Sequence, residues 1–153
     1  MWTNVERSGN VPAFPVHDSD AVIQGAVNDA QAVLTDDQTA IYSAFRIRVD
    51  TVFKPAPGVQ VGGSVVALRR GGALKLPNGL LRTRQTDQLM PATGGTYVLF
   101  LKSYAPDDPA FLILIGYQLD GGTVSALDIL PEPMRYDGST ETSFLATLRA
   151  DLP

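Results

Sequence analysis

Ile41-Tyr42-Ser43-Ala44-Phe45-Arg46-Ile47-Arg48-Val49-Asp50-Thr51-Val52-Phe53 carries the pattern that decides the fold. Ile41, Phe45, Ile47 and Val49 fall on one face and Tyr42, Arg46, Arg48 and Asp50 on the other, the period of two of a half-buried β-strand. Val52 and Phe53 are both apolar, so the phase slips and a bulge or the strand's end is expected there. Upstream, Ala21, Ile23 and Val27 alternate with Gln24 and Asn28 as an earlier strand, and a polar turn at 35–38 separates the two. Downstream, Lys54-Pro55-Ala56-Pro57-Gly58 reads as a rigid loop, because its two prolines cannot donate to a ladder.

Residues 64–70 predict a third strand. A hairpin carrying Leu74, Leu76, Leu80 and Leu81 follows, and its Asn78-Gly79 step favours a primed turn. Residues 96–103 and 110–117 are strands apolar on both faces, joined through Pro106-Asp107-Asp108-Pro109, and Asp120-Gly121-Gly122 turns the chain into a last short strand at 123–128. Strands apolar on both faces need cover on both. The candidate cover is 140–150, where Phe144, Leu145 and Leu148 fall at helical spacing and Thr140 or Ser139 can cap the start. That helix is expected either on the outside of the sheet or as a plug in one end. The whole predicts a mostly β protein: a small closed five- to six-stranded antiparallel barrel, oligomer-binding-fold-like, with a C-terminal α-helix. Residues 21–153 form this single domain and residues 1–20 an extended N-terminal arm. A chain of 153 residues suffices for one core.

The composition narrows the chemistry. At 44% hydrophobic and 18% charged residues the chain is an ordinary globule. Its apolar runs fall far short of the roughly 20 residues of a membrane-spanning helix. The absence of cysteine excludes disulfides, thiolate nucleophiles, thiolate zinc sites and iron–sulfur clusters. There is no phosphate loop and no Gly-x-Ser-x-Gly elbow. His17, the one histidine, lies beside Asp18 and Asp20 with no nucleophile at a telling spacing. The carboxylate pairs Asp18/Asp20, Asp36/Asp37 and Asp107/Asp108 do not follow the spacing of a calcium loop. No catalytic constellation, metal site or cofactor is expected.

Charge is distributed unevenly. Arg69, Arg70, Lys75, Arg82 and Arg84 lie within 69–86 with no acid among them, a +5 hairpin against a remainder of −9. Two uses are open: a contact for a phosphate-rich or acidic partner, or a solvated hairpin whose charge discourages edge pairing. Tyr42, Arg46 and Arg48 on the outward face of their strand would add a stacking platform of the kind used for single strands. The net charge of −4 argues against general binding to nucleic acid or anionic membrane. In the arm, Val11, Ala13, Phe14 and Val16 lie between prolines, and such a segment can add to a neighbour's sheet and build an oligomer. Trp2 is a candidate anchor in a partner's pocket.

Three stretches resemble a known family. Ser19-Asp20-Ala21-Val22-Ile23-Gln24-Gly25, Arg48-Val49-Asp50-Thr51-Val52-Phe53-Lys54 and Gly95-Thr96-Tyr97-Val98-Leu99-Phe100-Leu101 are similar to the netrin-like modules, which include the inhibitory domain of the tissue inhibitors of metalloproteinases. The chain also resembles uncharacterised exported bacterial proteins of the same build. The resemblance implies an oligomer-binding barrel and export to the periplasm or exterior, with the cytoplasm as the alternative. It does not imply metalloproteinase inhibition, which in that family uses an N-terminal cysteine and disulfides that this sequence lacks. A non-enzymatic module contacting a protein or polymer through barrel loops is the function expected. The alternatives are a structural subunit assembling through 1–20 and nucleic-acid or polyanion binding through the basic hairpin 69–84.

Overall fold

The computed structural model describes residues 2–5, 11–34 and 39–153, with the backbone alone at 2–5, 84 and 85. In chain order the elements are β1 (Trp2–Val5), β2 (Ala21–Leu34), β3 (Ile41–Lys54), β4 (Ser64–Arg70), β5 (Gly72–Leu76), β6 (Gly79–Gln85), β7 (Thr96–Ala105), β8 (Asp108–Asp120), β9 (Thr123–Ala126), α1 (Pro131–Met134) and α2 (Glu141–Asp151). The expected turn at 35–38, with Asp36 and Asp37, lies outside the described residues.

One sheet runs β4-β3-β2-β7-β8-β9, and a parallel contact of β4 with β8 closes five of its strands into a ring. The protein is thus mostly β with a C-terminal helix, as the alternation predicts. The closure is short, two residue pairs, Ala67 with Phe111 and Leu68 with Leu112. A second sheet, β1-β6-β5, stands beside the ring. Its hairpin departs from the expected turn. Leu76 pairs with Gly79, so Pro77 and Asn78 form the tip. Proline's fixed negative φ excludes a primed turn there, and Gly79 takes the positive φ instead, at 136°.

The phase slip in β3 is a real bulge. Val22 pairs with Lys54 and Ile23 with Val52, which leaves Phe53 as the extra residue. Another bulge sits in β8, where Phe100 pairs with Ile115 and Leu101 with Ile113. The extra Leu114 reverses the facing of everything after it. Phe111 and Ile113 therefore point into the ring, whereas Ile115, Tyr117 and Leu119 point out of it.

Two cores result from this division. The ring interior holds Ile23, Val27, Phe45, Ile47, Val49, Val65, Tyr97, Leu99 and Leu101. On the opposite face of the same strands lie Val22, Val98, Phe100, Ile115 and Tyr117, under Phe144 and Leu148 of α2. Helix α2 therefore packs outside the sheet and does not plug an end. Its N-terminus is capped by Thr140, whose hydroxyl accepts the Ser143 N–H at 3.2 Å.

The arm departs most from expectation. Trp2–Val5 pairs in parallel with β6 of its own chain, and Ala13, Pro15, Val16 and Ser19 are buried against the body. Phe14 stands among Phe100, Tyr117, Tyr136 and Phe144, with ring centroids 4.7–6.0 Å away. The Tyr117 hydroxyl donates to the Ala13 carbonyl at 2.6 Å, and the Lys54 ammonium donates to the carbonyls of Val16 and Ser19. Residues 11–20 are thus a cover for the outer core rather than a free extension.

Gly25 lies in β2 with no room for a side chain against β3. A Cβ there would lie 2.5 Å from the Arg48 carbonyl oxygen and 2.6 Å from Ile47 Cγ2. The first contact is backbone and cannot swing aside. Gly25→Ala is expected to cost about 1–3 kcal/mol, the usual penalty of overpacking, read as a lower midpoint in urea unfolding. Tyr117 supplies a pH signature. Burial pushes its phenol well above the ordinary value, and the charge of Asp128 adds to the effect. An unfolded tyrosine ionises at about pH 10, so this contribution is complete below that pH and declines as pH rises past it. Unfolding curves from pH 8 to 11 should show a falling alkaline limb that Tyr117→Phe flattens.

Candidate functional site

The outward side chains of β3 and β4 make one continuous surface, set by the register of the two strands. Tyr42 stands opposite Arg70, Ala44 opposite Leu68, Arg46 opposite Val66 and Arg48 opposite Ser64. The phenol of Tyr104, near the tip of the β7–β8 hairpin, meets Tyr42 edge to face with centroids 6.5 Å apart. Tyr104 is 45% exposed, which is high for a large ring held in a geometric pair. Arg46 and Arg48 are exposed. Arg48 Nε contacts Asp50 at 3.2 Å, an open pair that competes weakly with a ligand. The Nε of Arg70 is shielded from water and has no acceptor among the described residues. The surface therefore offers three guanidinium groups, two phenol rings and the apolar Val66 and Leu68.

At one end this face opens into a cleft. Above the two pairs that close the ring, the starts of β4 and β8 splay apart and leave a cavity of about 380 Å³ lined by Pro57, Ser64, Val65, Val66, Pro109 and Phe111 among others. The cleft is mainly apolar and adjoins Arg46 and Arg48 through their partners Val66 and Ser64.

The expected basic hairpin does not hold together as one cluster. Arg69 points into the protein and is 2% exposed. Its Nη2 pairs with the buried carboxylate of Asp128, Nε donates to Gln88 Oε1 at 3.0 Å and Nη1 to the Leu89 carbonyl at 3.2 Å. Asp128 in turn accepts the Gly116 N–H at 2.8 Å, and Gln88 donates to the Arg70 carbonyl at 2.6 Å. Arg69 is therefore a structural ion and is not exposed to contact a partner. Arg70 belongs to the β3–β4 face. Lys75 is exposed and Arg82 half-buried on the β5–β6 hairpin, while the side chain of Arg84, like that of Trp2, lies outside the described residues. Tyr42, Arg46 and Arg48 do share a face, as their alternation predicts. Tyr104 was not anticipated, and its position in a polar hairpin tip gave no periodic signal.

His17 is exposed beside a separate cavity of about 520 Å³ whose lining includes Asp18, Lys54 and Asp151 but no serine. Among the described residues no three of His, Cys, Asp and Glu come together as a metal site, and no helix is long and apolar enough to cross a membrane. No protein-family model and no curated protein matches the chain.

Removing one member of a buried ion pair strands the other, at about 3–5 kcal/mol. Arg69→Leu and Asp128→Leu are each expected to lower stability in urea by that order. The double replacement should lose less than the two single losses added together, because neither charge is then left alone.

Proposed function

We propose that the protein is a non-enzymatic binding module that holds an extended anionic polymer on the outer face of β3–β4. One observation carries the reading: the paired phenols of Tyr42 and Tyr104 stand on the same sheet surface as Arg46, Arg48 and Arg70. Aromatic rings with adjacent guanidinium groups suit flexible anionic chains, which can stack on the rings and neutralise their charge on the arginines. The ring topology supports it further. Numbered along the ring, β3 and β4 are the second and third strands and β7–β8 is the fourth-to-fifth hairpin, the parts with which five-stranded oligomer-binding barrels contact their ligands. The netrin-like resemblance points to the same architecture and, with it, to an exported protein.

The contribution of the β5–β6 hairpin distinguishes this reading from its nearest rival, in which Lys75 and Arg82 do the binding. Fluorescent oligo-dT and a heparin fragment are titrated by anisotropy at several salt concentrations. Binding is expected for at least one, with a log–log salt slope of about −2 if three arginines each meet one anionic group of a single strand. Arg46→Glu with Arg48→Glu should abolish it, and Lys75→Glu should leave it nearly unchanged. No binding of either polymer at low salt, or equal loss in the Lys75 variant, refutes the assignment.

A further inference from the structure

A third cavity, which borders the one beside His17 and shares Pro12, Phe14 and Asp151 with it, has no residue in common with the β3–β4 face and carries the opposite charge. It measures about 570 Å³, within the range of small-molecule sites, and is lined by Val11, Pro12, Ala13, Phe14, Pro131, Glu132, Tyr136, Thr147 and Asp151. Phe14 and Tyr136 are half-buried and tilted at 36° with centroids 4.7 Å apart, so two aromatic rings contribute to one wall. The charged lining residues are Glu132 and Asp151, and no lysine or arginine lines the cavity.

The position of Asp151 adds to this. It is the last residue of α2, where unsatisfied carbonyls form the negative pole of the helix and a carboxylate is disfavoured unless a cation is near. Arg149 in the same turn is directed elsewhere, its guanidinium 5.6 Å from the Phe53 ring centroid. Among the described residues Asp151 has no cationic partner. Glu132 is touched by Arg135 at 2.9 Å, but both groups are well exposed, and such a pair yields readily to a competitor. A cavity walled in part by two aromatic rings thus carries negative charge at its rim, the cation Lys54 lying in the adjoining cavity that Asp151 also borders.

We propose that this cavity is a site for an ammonium group carried on an apolar stem. The stem lies against Phe14, Pro12 and Pro131, and the ammonium meets Asp151 and Glu132 with a ring face of Tyr136 in reach, the combination in which cation–π attraction adds to a carboxylate contact. A free aliphatic or arylalkyl amine and an exposed lysine side chain share this chemistry.

The test uses the full chain and three probes followed by NMR titration and thermal shift: phenethylammonium, a short peptide acetylated only at its N-terminus with a free lysine side chain, and 2-phenylethanol as the uncharged counterpart. Saturable binding of phenethylammonium, or of the lysine peptide, is expected, with shifts confined to residues around Phe14 and Tyr136. Which of the two binds more tightly identifies the source of the ammonium. Asp151→Asn with Glu132→Gln should weaken binding by about tenfold or more, roughly 1.4 kcal/mol, while leaving the urea midpoint close to that of the parent. Three results each overturn the proposal: no saturation by either cation up to about 10 mM (a free energy of only about −3 kcal/mol), binding of the alcohol as strong as that of the ammonium, or affinity unchanged in the double variant. None of these results bears on the β3–β4 face.

Discussion

The guanidinium of Arg69 is held out of water by contacts that its forked donors satisfy together. It reaches Asp128, Gln88 and the Leu89 carbonyl together, while Asp128 also accepts the Gly116 N–H. These bonds join β4, the middle of β8, the segment after β6 and the segment after β9. Ring closure between β4 and β8 is otherwise only two residue pairs long. A contact so short needs reinforcement, and the ion pair provides it at the place where both strands meet the rest of the chain. Desolvating two charges is costly, and the pair is tolerable because its polar atoms find partners. The network fixes the geometry of the closure. Both the cleft and the arginine-bearing face depend on that geometry, since each is built from the edges of β4.

The second constraint is that β7 and β8 are apolar on both sides. A ring covers one side only. The other is covered by α2 and by residues 11–16, which meet around Phe14 and Phe144. The bulge at Leu114 makes this division possible, because it turns the later half of β8 outward while its beginning continues to fill the ring.

Much of this was legible in the sequence. The alternation in 41–53 located β3 and its bulge at Phe53, the boundaries of β4 agree with the reading at 64–70, and the need for a C-terminal cover follows from the double apolarity of 96–103 and 110–117. The burial of Arg69 was also legible in principle. It shares parity with Val65 and Ala67, so the alternation placed it inward, whereas grouping by charge alone placed it outside; Asp128, beyond the end of β9, had no such signal. The course of residues 11–20 was not legible. A segment with no period gives no face to assign, and its docking is decided by Phe14 finding an aromatic cluster assembled from remote strands. The β3–β4 face was half visible: Tyr42, Arg46 and Arg48 follow from parity, but the approach of Tyr104 depends on the curvature of a hairpin.

The bond from Tyr117 to the Ala13 carbonyl joins residues 104 positions apart. Because Phe14 near one end of the chain and Phe144 near the other complete the same outer core, neither can settle alone. A ribosome delivers the first long before the last. Until α2 emerges, the outward faces of β7 and β8 stay wet and sticky, and the arm has half a berth. The contact between the arm and Tyr117 closes a loop of 104 positions. Closing such a loop carries an entropic cost that local contacts do not, and the half-made state, with the outer faces of β7 and β8 uncovered, is the one most exposed to aggregation.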